Sequence, residues 1–298
     1  MTGNGSVWDC NNNFVVGLSG DGDLTVADGG AVSALSLILG NNASSNGVAS
    51  VAGTGSTIST TSSVTVANSG EGSLRVSSGG ELDVGGDLSI LDPAGTPQGT
   101  LTLDGGSIYV SDHFTNDGVF NFIDGLLRVA GNFQPNPASG TFTIEGESES
   151  DLPTLELLGF GPTTSNITSE LRVGDARRGQ LILGQGRILD VSGNVEIGAQ
   201  AGSEGIVNVE GGARLTATGT VAVGGDIGLS PGGAGSLTIR NGTLECNSLF
   251  VYGDATINFD GGIISIVNSF LGGQFNWGAG QKYEEEPRDP FLFDLVYV

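Results

Sequence analysis

The chain has 298 residues, of which 53 are glycine, and 33 acidic residues against 10 basic ones give a net charge of −23. Such a charge repels the phosphates of nucleic acids and anionic lipids, so the composition argues against nucleic-acid binding and electrostatic docking to membranes. One histidine, two cysteines and one methionine leave few ligands for haem or for His/Cys metal sites. Hydrophobic residues make up 38%, which is enough for a folded core.

The N-terminus and the apolar segments give no sign of membrane insertion. The first residues, MTGNGSVWDC, lack the basic and apolar regions of a secretory signal, although a leader removed beforehand would leave the same picture. The apolar run ALSLILG at 34–40 is too short to span a bilayer. We therefore expect no insertion into a membrane.

A short pattern recurs along the chain. It consists of a short apolar–polar–apolar triplet, followed by a polar residue or two, often a Gly pair, and then another apolar position. The copies are LTVADGGAV (24–32), LRVSSGGEL (74–82), LTLDGGSI (101–108), FNFIDGLL (120–127), VNVEGGARL (207–215), LTIRNGTL (237–244) and INFDGGII (257–264). The triplets predict short strands with alternating faces. The glycines predict turns, because glycine accepts a positive φ without a steric penalty.

The spacing of the copies predicts how the strands are arranged. Shorter strands are predicted between the copies, at 35–39, 64–66, 87–91, 171–173, 181–184, 195–198 and 221–225. Several strands within each period of about 20 to 30 residues are typical of a β-solenoid. A β-sandwich is the main alternative, since its turns also recur at short intervals. The copied motif, the very short strands and the lack of amphipathic helical segments favour the solenoid.

We therefore predict an all-β chain that forms a right-handed parallel β-helix of about ten coils. A first solenoid block covers 1–131 and a second covers 171–280. Between them, 132–170 is less regular and contains several prolines and the acidic stretch EGESESD. This segment is predicted as an irregular junction that continues the solenoid.

The last segment, 281–298, differs in composition from the rest of the chain. Glycine is absent and the end of the segment, FLFDLVYV, is almost wholly apolar. This predicts a strand that includes Phe291, Phe293, Leu295 and Tyr297. Either it caps the last coil, as solenoids require, or it is donated to a neighbouring molecule by β-augmentation, which gives a dimer or a head-to-tail filament.

Residues that could carry chemistry are scattered. The acids Asp28, Asp83, Asp104, Asp124, Asp190 and Asp260 are interpreted as turn residues. Arg177 and Arg178 are interpreted as a solvated loop, and His113 has no serine or cysteine partner nearby in sequence. The stretch SGDGDLTVADGG (19–30) differs from the Ca²⁺-binding nonapeptide repeat, because Gly22 stands where an Asp is required. We predict no catalytic, cofactor or metal site, while opportunistic Ca²⁺ on the acidic surface stays open.

Cys10 and Cys246 would lie many coils apart in the predicted solenoid, beyond the reach of an intramolecular disulfide. Two alternatives stay open. The thiols are either unrelated, or they form an intermolecular disulfide between stacked molecules.

Two stretches resemble a known family of repeats. VANSGEGSLRVSSGGELDVGGDLSI (66–90) and GAQAGSEGIVNVEGGARLTATGTVAVGGDIG (198–228) resemble the repeats of bacterial autotransporter-associated β-strand proteins. FTNDGVFNFIDGLLRVAGNF (114–133) is similar to a block in bacterial surface proteins with a PEP-type sorting signal. The resemblance covers about 14–270. It implies an exported, right-handed β-solenoid, extracellular or attached to the cell surface, without catalysis.

The expected function is therefore that of a non-enzymatic extracellular structural or adhesin-like protein. It would associate with copies of itself, as a dimer or a head-to-tail filament, and a cell-surface glycan is a further candidate partner. The alternative is a carbohydrate-binding or carbohydrate-active β-helix resembling polysaccharide lyases or hydrolases. That alternative requires aligned Asp and Glu side chains in one groove, together with exposed aromatic residues.

Overall fold

The computed structural model describes residues 1–92, 99–135, 140–159, 162–228, 230–253, 255–271, 275–277, 284–285 and 293–296, with side chains as far as residue 268. Within these ranges the chain is all-β. No helix capable of crossing a membrane is found among them. The chain divides into two compact units, Met1–Pro137 and Ala138–Val298. The boundary falls inside the segment 132–170 that the sequence marks as irregular.

Unit 1 contains short parallel strands that stack in register. In chain order they are β1 (Val7–Cys10), β2 (Phe14–Val16), β3 (Asp21–Ala27), β4 (Ala31–Ala34), β5 (Leu37–Leu39), β6 (Asn46–Ala52), β7 (Thr57–Thr60), β8 (Val64–Val66), β9 (Glu71–Ser77), β10 (Glu81–Val84), β11 (Leu88–Ile90), β12 (Gly99–Val110), β13 (Phe114–Asn116), β14 (Val119–Val129) and β15 (Phe133–Gln134).

The strands of unit 1 form three faces. Face 1 consists of β3, β6, β9 and the first parts of β12 and β14. Face 2 consists of β1, β4, β7, β10 and the last parts of β12 and β14. Face 3 consists of β2, β5, β8, β11, β13 and β15. The chain thus passes through all three faces once in each coil.

Unit 2 repeats this arrangement. Its strands are β16 (Thr141–Ile144), β17 (Thr154–Leu157), β18 (Thr164–Ile167), β19 (Glu170–Val173), β20 (Arg178–Leu183), β21 (Ile188–Val191), β22 (Val195–Ile197), β23 (Glu204–Glu210), β24 (Arg214–Val223), β25 (Ala234–Val251), β26 (Thr256–Leu271), β27 (Phe275–Trp277), β28 (Glu284–Glu285) and β29 (Phe293–Val296). Face 3 of this unit consists of β16, β19, β22 and the last parts of β24 and β25.

Each unit is therefore a parallel β-solenoid, and together they contain about nine turns, close to the ten expected. The prediction of an all-β parallel β-helix is confirmed. The right-handed direction of the coil stays a prediction.

The core is built from columns of apolar residues. On face 2 of unit 1, Val32, Ile58, Leu82, Ile108 and Leu127 pair in register from coil to coil. Each of them is at most 2% exposed. Strand side chains alternate between faces, so a triplet repeated at the same place in every coil yields one continuous column.

A second kind of column consists of glycines near the start of the face 1 strands. Gly22, Gly47, Gly72 and Gly99 pair in register. A Cβ atom on Gly47 would lie 2.2 Å from the carbonyl oxygen of Val16 and 2.4 Å from the backbone nitrogen of Gly40. These glycines lie where the backbone leaving face 3 presses against the next coil. Glycine is needed here because two backbones approach each other too closely for a side chain to fit between them, and not because the chain turns.

Two Gly pairs, Gly105–Gly106 in β12 and Gly261–Gly262 in β26, lie inside continuous strands instead of in the turns predicted for them. Gly105 and Gly106 lie inside the continuous strand β12, which pairs with β14 along its length. The pairing shows register shifts between Leu103 and Gly106, and Gly105 has a φ of 75°. The pair therefore bends a strand from face 1 to face 2 as a bulge does, without ending it.

The C-terminal strand pairs with the chain's own last coil. β29 runs antiparallel to β26, with Phe293 opposite Ile266 and Leu295 opposite Ile264, and it also pairs with β28. Capping of the last coil and donation of the strand to a neighbouring molecule both stay predictions. Phe291 and Tyr297 lie outside the described residues.

Candidate functional site

A cluster of charged side chains lies on the outer surface of face 3 in unit 2. It consists of Glu170, Arg172, Asp175 and Glu196, and is called the Arg172 cluster below. Arg172 of β19 and Glu196 of β22 are direct register partners. Arg172 Nε lies 2.8 Å from Glu196 Oε2, Arg172 Nη1 lies 3.2 Å from Asp175 Oδ2, and Arg172 Nη2 lies 3.8 Å from Glu170 Oε2. Stacking in register thus brings one guanidinium against three carboxylates.

The loop between β24 and β25 lies against this cluster. Ile227 N–H donates to Glu196 Oε1 at 3.1 Å, and Tyr252 OH donates to the carbonyl oxygen of Asp226 at 2.8 Å. Ser230 N–H donates to Asp226 Oδ1 at 3.0 Å. The Glu196 side chain is only 5% exposed, whereas that of Arg172 is 33% exposed. Glu196 therefore attaches the loop to the solenoid wall.

Burial and charge shift the ionisation of these groups. Burial raises the pKa of Glu196, and the Ile227 hydrogen bond and the Arg172 charge counteract it only in part. Burial lowers the pKa of Arg172, but the charges of Glu196, Asp175 and Glu170 outweigh it and raise the pKa overall. Glycoside hydrolysis needs two carboxylates that face a sugar. Here the carboxylates face Arg172, so the cluster as it stands joins neighbouring coils.

We expect Glu196→Gln to change how stability depends on pH. Because the pKa of Glu196 is higher in the folded state than its ordinary value of 4.5, the folded state holds the proton more tightly in the interval between the two values. The free energy of unfolding therefore falls as the pH rises through that interval, by about 1.4 kcal/mol for each unit of difference. Wild type should gain stability relative to Glu196→Gln as the pH is lowered from neutral through this interval.

Urea unfolding of both proteins over a pH series measures this difference. Glu245→Gln is a suitable control. Glu245 also faces an arginine, with its Oε1 3.7 Å from Arg214 Nη1, but its side chain is half-exposed whereas that of Glu196 is buried. A difference between wild type and Glu196→Gln that stays constant with pH would contradict the prediction.

The acids singled out in the sequence lie in a turn or in strands, and two of them form ion pairs with an arginine of the preceding coil. Asp28 lies in a turn with a φ of 54°, as expected. The interpretation as turn residues is wrong for the other five acids, which lie in the strands β10, β12, β14, β21 and β26: Asp83, Asp104, Asp124, Asp190 and Asp260. Asp104 is ion-paired with Arg75 of the preceding coil, and Asp260 lies 3.5 Å from Arg240.

Ion pairs between adjacent coils recur in unit 2. Arg178 Nε lies 2.7 Å from Glu204 Oε2, so Arg178 is a coil-to-coil partner rather than only a solvated loop residue. Arg240 Nη1 also lies 3.8 Å from Glu210 Oε1. Arg240 thus stands between an acid of the coil before it and an acid of the coil after it. Glu210, Arg240 and Asp260 are successive register partners, so the charge at this position alternates in sign from one coil to the next.

The two cysteines are in different environments. Cys246 is 3% exposed, and burial raises its pKa to about 12. Cys10 is half-buried, and its thiol lies 3.5 Å from the carbonyl oxygen of Asn12. Since thiol–disulfide exchange needs an accessible thiolate, these positions argue against Cys246 as one half of an intermolecular disulfide.

A thiol reagent should therefore distinguish the two cysteines. We expect 5,5′-dithiobis(2-nitrobenzoate) to react with Cys10 in the folded chain and with Cys246 only after unfolding. The Cys10→Ser variant should be inert until denaturant is added, whereas Cys246→Ser should react as fast as wild type. Rapid labelling of the folded Cys10→Ser variant would contradict the burial of Cys246.

The sequence held a signal for the Arg172 cluster that was not recognised. Arg172 and Glu196 are the middle residues of two apolar triplets, LRV (171–173) and VEI (195–197), one coil apart. Opposite charges at the same position of successive triplets indicate an ion pair between coils. The loop that buries Glu196 has no comparable signal.

Comparisons of the chain with protein-family models, with curated proteins and with solved structures returned no match. The resemblance to autotransporter-associated repeats and PEP-sorting proteins accordingly stays a prediction. The chain is identified here by its architecture, that of two parallel β-solenoid units.

Proposed function

We propose that the chain is a non-enzymatic structural or adhesin-like β-solenoid that works outside the cell and associates with copies of itself. The observation that carries the proposal is the use of charged side chains between coils. Arginines of both units pair with acids one coil away, as in Arg75–Asp104, Arg178–Glu204 and Arg240–Asp260. Each exposed pair contributes little by itself, but together the pairs add to the contacts between neighbouring coils, on which the stability of a solenoid depends.

Self-association is supported by the first coil of unit 1. β1 pairs with β4 along one edge, and its other edge has no strand partner among the described residues. Val7 and Trp8 in this strand are 65% and 50% exposed. An open strand edge with apolar side chains is a template for pairing with another chain. We propose this edge as the contact between copies.

Negative-stain microscopy and light scattering of the purified chain test this proposal. We expect particles joined end to end at raised concentration and separate particles for Val7→Lys, because a lysine on an edge strand opposes pairing. Ile227→Lys is the control, since Ile227 is also a partly exposed apolar residue but lies in the loop between β24 and β25, outside the first and last coils. Wild type that stays monomeric at every concentration would refute self-association.

Deleting 287–298 separates the two roles of the tail. If β29 caps its own chain, the shortened protein should aggregate or lose stability, because the edge of β26 is uncovered. If the tail is donated to a neighbour, the shortened protein should remain folded and soluble but lose assembly.

The carbohydrate-binding alternative is favoured by one observation. Face 3 of unit 2 places the partly exposed carboxylates of Glu170 and Asp175 on either side of Arg172, which meets part of the requirement for a carbohydrate site. A glycan array and a reducing-sugar assay test it. A signal that disappears in Arg172→Ala would support this alternative, and the absence of any signal would refute it.

A further inference from the structure

One corner of unit 1 brings an imidazole and two carboxylates together. Asp87 directly precedes β11 and His113 directly precedes β13, and these strands pair in register. The two residues therefore stack one coil apart, and Asp112 adjoins His113 in the chain. One ligand atom from each of the three side chains lies within 4.8 Å of the other two.

Hydrogen bonds hold this corner in place. The backbone N–H of His113 donates to Asp87 Oδ1 at 3.1 Å. The backbone N–H of Asn132, in the next coil, donates to His113 Nδ1 at 3.0 Å. Because Nδ1 accepts a hydrogen bond, it carries a lone pair rather than a proton. The backbone of the next coil thus positions the Asp87 carboxylate in a way that a bound ligand leaves intact.

Acceptor atoms are in excess at this corner. His113 Nδ1 lies 3.3 Å from Asp112 Oδ1, which is a contact between two electron-rich atoms when Nδ1 is unprotonated. The net charge of −23 adds to this local excess. Such an arrangement attracts a cation.

We propose that Asp87, Asp112 and His113 bind a divalent transition-metal ion on the surface of unit 1. One imidazole nitrogen with two carboxylate oxygens suits Zn²⁺, Co²⁺ or Ni²⁺, whereas Ca²⁺ and Mg²⁺ prefer oxygen ligands alone. All three side chains are exposed, so water fills the remaining coordination positions. Coordination through Nδ1 replaces the hydrogen bond from Asn132. This site departs from the sequence-based expectation of a chain without metal sites.

The single histidine of the chain makes the proposal directly testable. Its ring proton signals in NMR report on this corner alone. We expect ZnCl₂ at neutral pH to shift these signals to saturation, with one ion bound per chain by isothermal titration calorimetry. CaCl₂ should leave the signals unchanged. Asp87→Asn and Asp112→Asn should each weaken Zn²⁺ binding by about tenfold or more, and His113→Gln should abolish it.

Asp83→Asn is the matched control, because Asp83 is another exposed acid of the same unit, and it should leave the affinity unchanged within about twofold. The Asp→Asn variants keep an oxygen that accepts a hydrogen bond, and circular dichroism verifies that they fold. Shifts that never saturate, or Asp87→Asn and Asp112→Asn variants that bind as tightly as wild type, would indicate an isolated imidazole and overturn the proposal. These outcomes are independent of self-association.

Discussion

Replacing Gly47 by alanine is expected to unfold unit 1 or lower its stability by about 3 kcal/mol or more. The added Cβ would meet the carbonyl oxygen of Val16 at 2.2 Å and the backbone nitrogen of Gly40 at 2.4 Å. Val16 lies in β2, which pairs with β5, and Gly40 N–H donates to the carbonyl oxygen of Val16, so neither atom can move without breaking a backbone hydrogen bond. Thermal unfolding followed by circular dichroism should show a melting temperature lower by roughly 10 °C or more.

Gly20→Ala is the control for this prediction. A Cβ on Gly20 would have no heavy atom within 4 Å, and Gly20 has no positive φ. We expect a change of less than about 0.5 kcal/mol, because alanine only reduces the freedom of the unfolded chain. If the two variants were equally stable, the close approach of backbones beside Gly47 would be disproved.

Replacing Phe114 by alanine is expected to lower the stability of unit 1 by about 3–5 kcal/mol. Phe114 is 0% exposed, and its ring lies 5.2 Å from the rings of both Phe120 and Phe133, measured between centroids. Truncation removes these aromatic contacts and leaves a cavity between two coils. Chemical denaturation monitored by circular dichroism measures the loss.

Phe114→Leu serves as the matched variant. Leu88 occupies the same column in the preceding coil, so a leucine is compatible with the geometry of the strand. We expect a loss below about 1.5 kcal/mol. Equal losses in the alanine and leucine variants would mean that ring volume does not determine packing at this position.

Much of the fold could be predicted because the repeat is local. The triplet VTV at 64–66 coincides with β8, and LSLIL at 35–39 contains β5. Alternating apolar residues report which side chains face the core, whatever the rest of the chain does. The length of one coil follows from the spacing of the copies.

Other features depend on contacts between coils and were missed. The pattern does not distinguish a Gly pair that ends a strand from one that bends it, as Gly105 and Gly106 do within β12. The repeated motif does not mark the glycine column at Gly22, Gly47 and Gly72, because the need for glycine there arises from the neighbouring coil. Glu196 is buried by a loop whose path the sequence does not reveal.

In-register stacking has a consequence for how the length of such a chain can change. Asp21, Asn46 and Glu71 are successive register partners. Removing the whole coil that contains Asn46 would therefore make Asp21 and Glu71 direct register partners. Removing one residue from within a coil would instead turn every following side chain of that strand to the opposite face. Chains of this architecture are therefore expected to lengthen and shorten by whole coils, which leaves the apolar columns continuous.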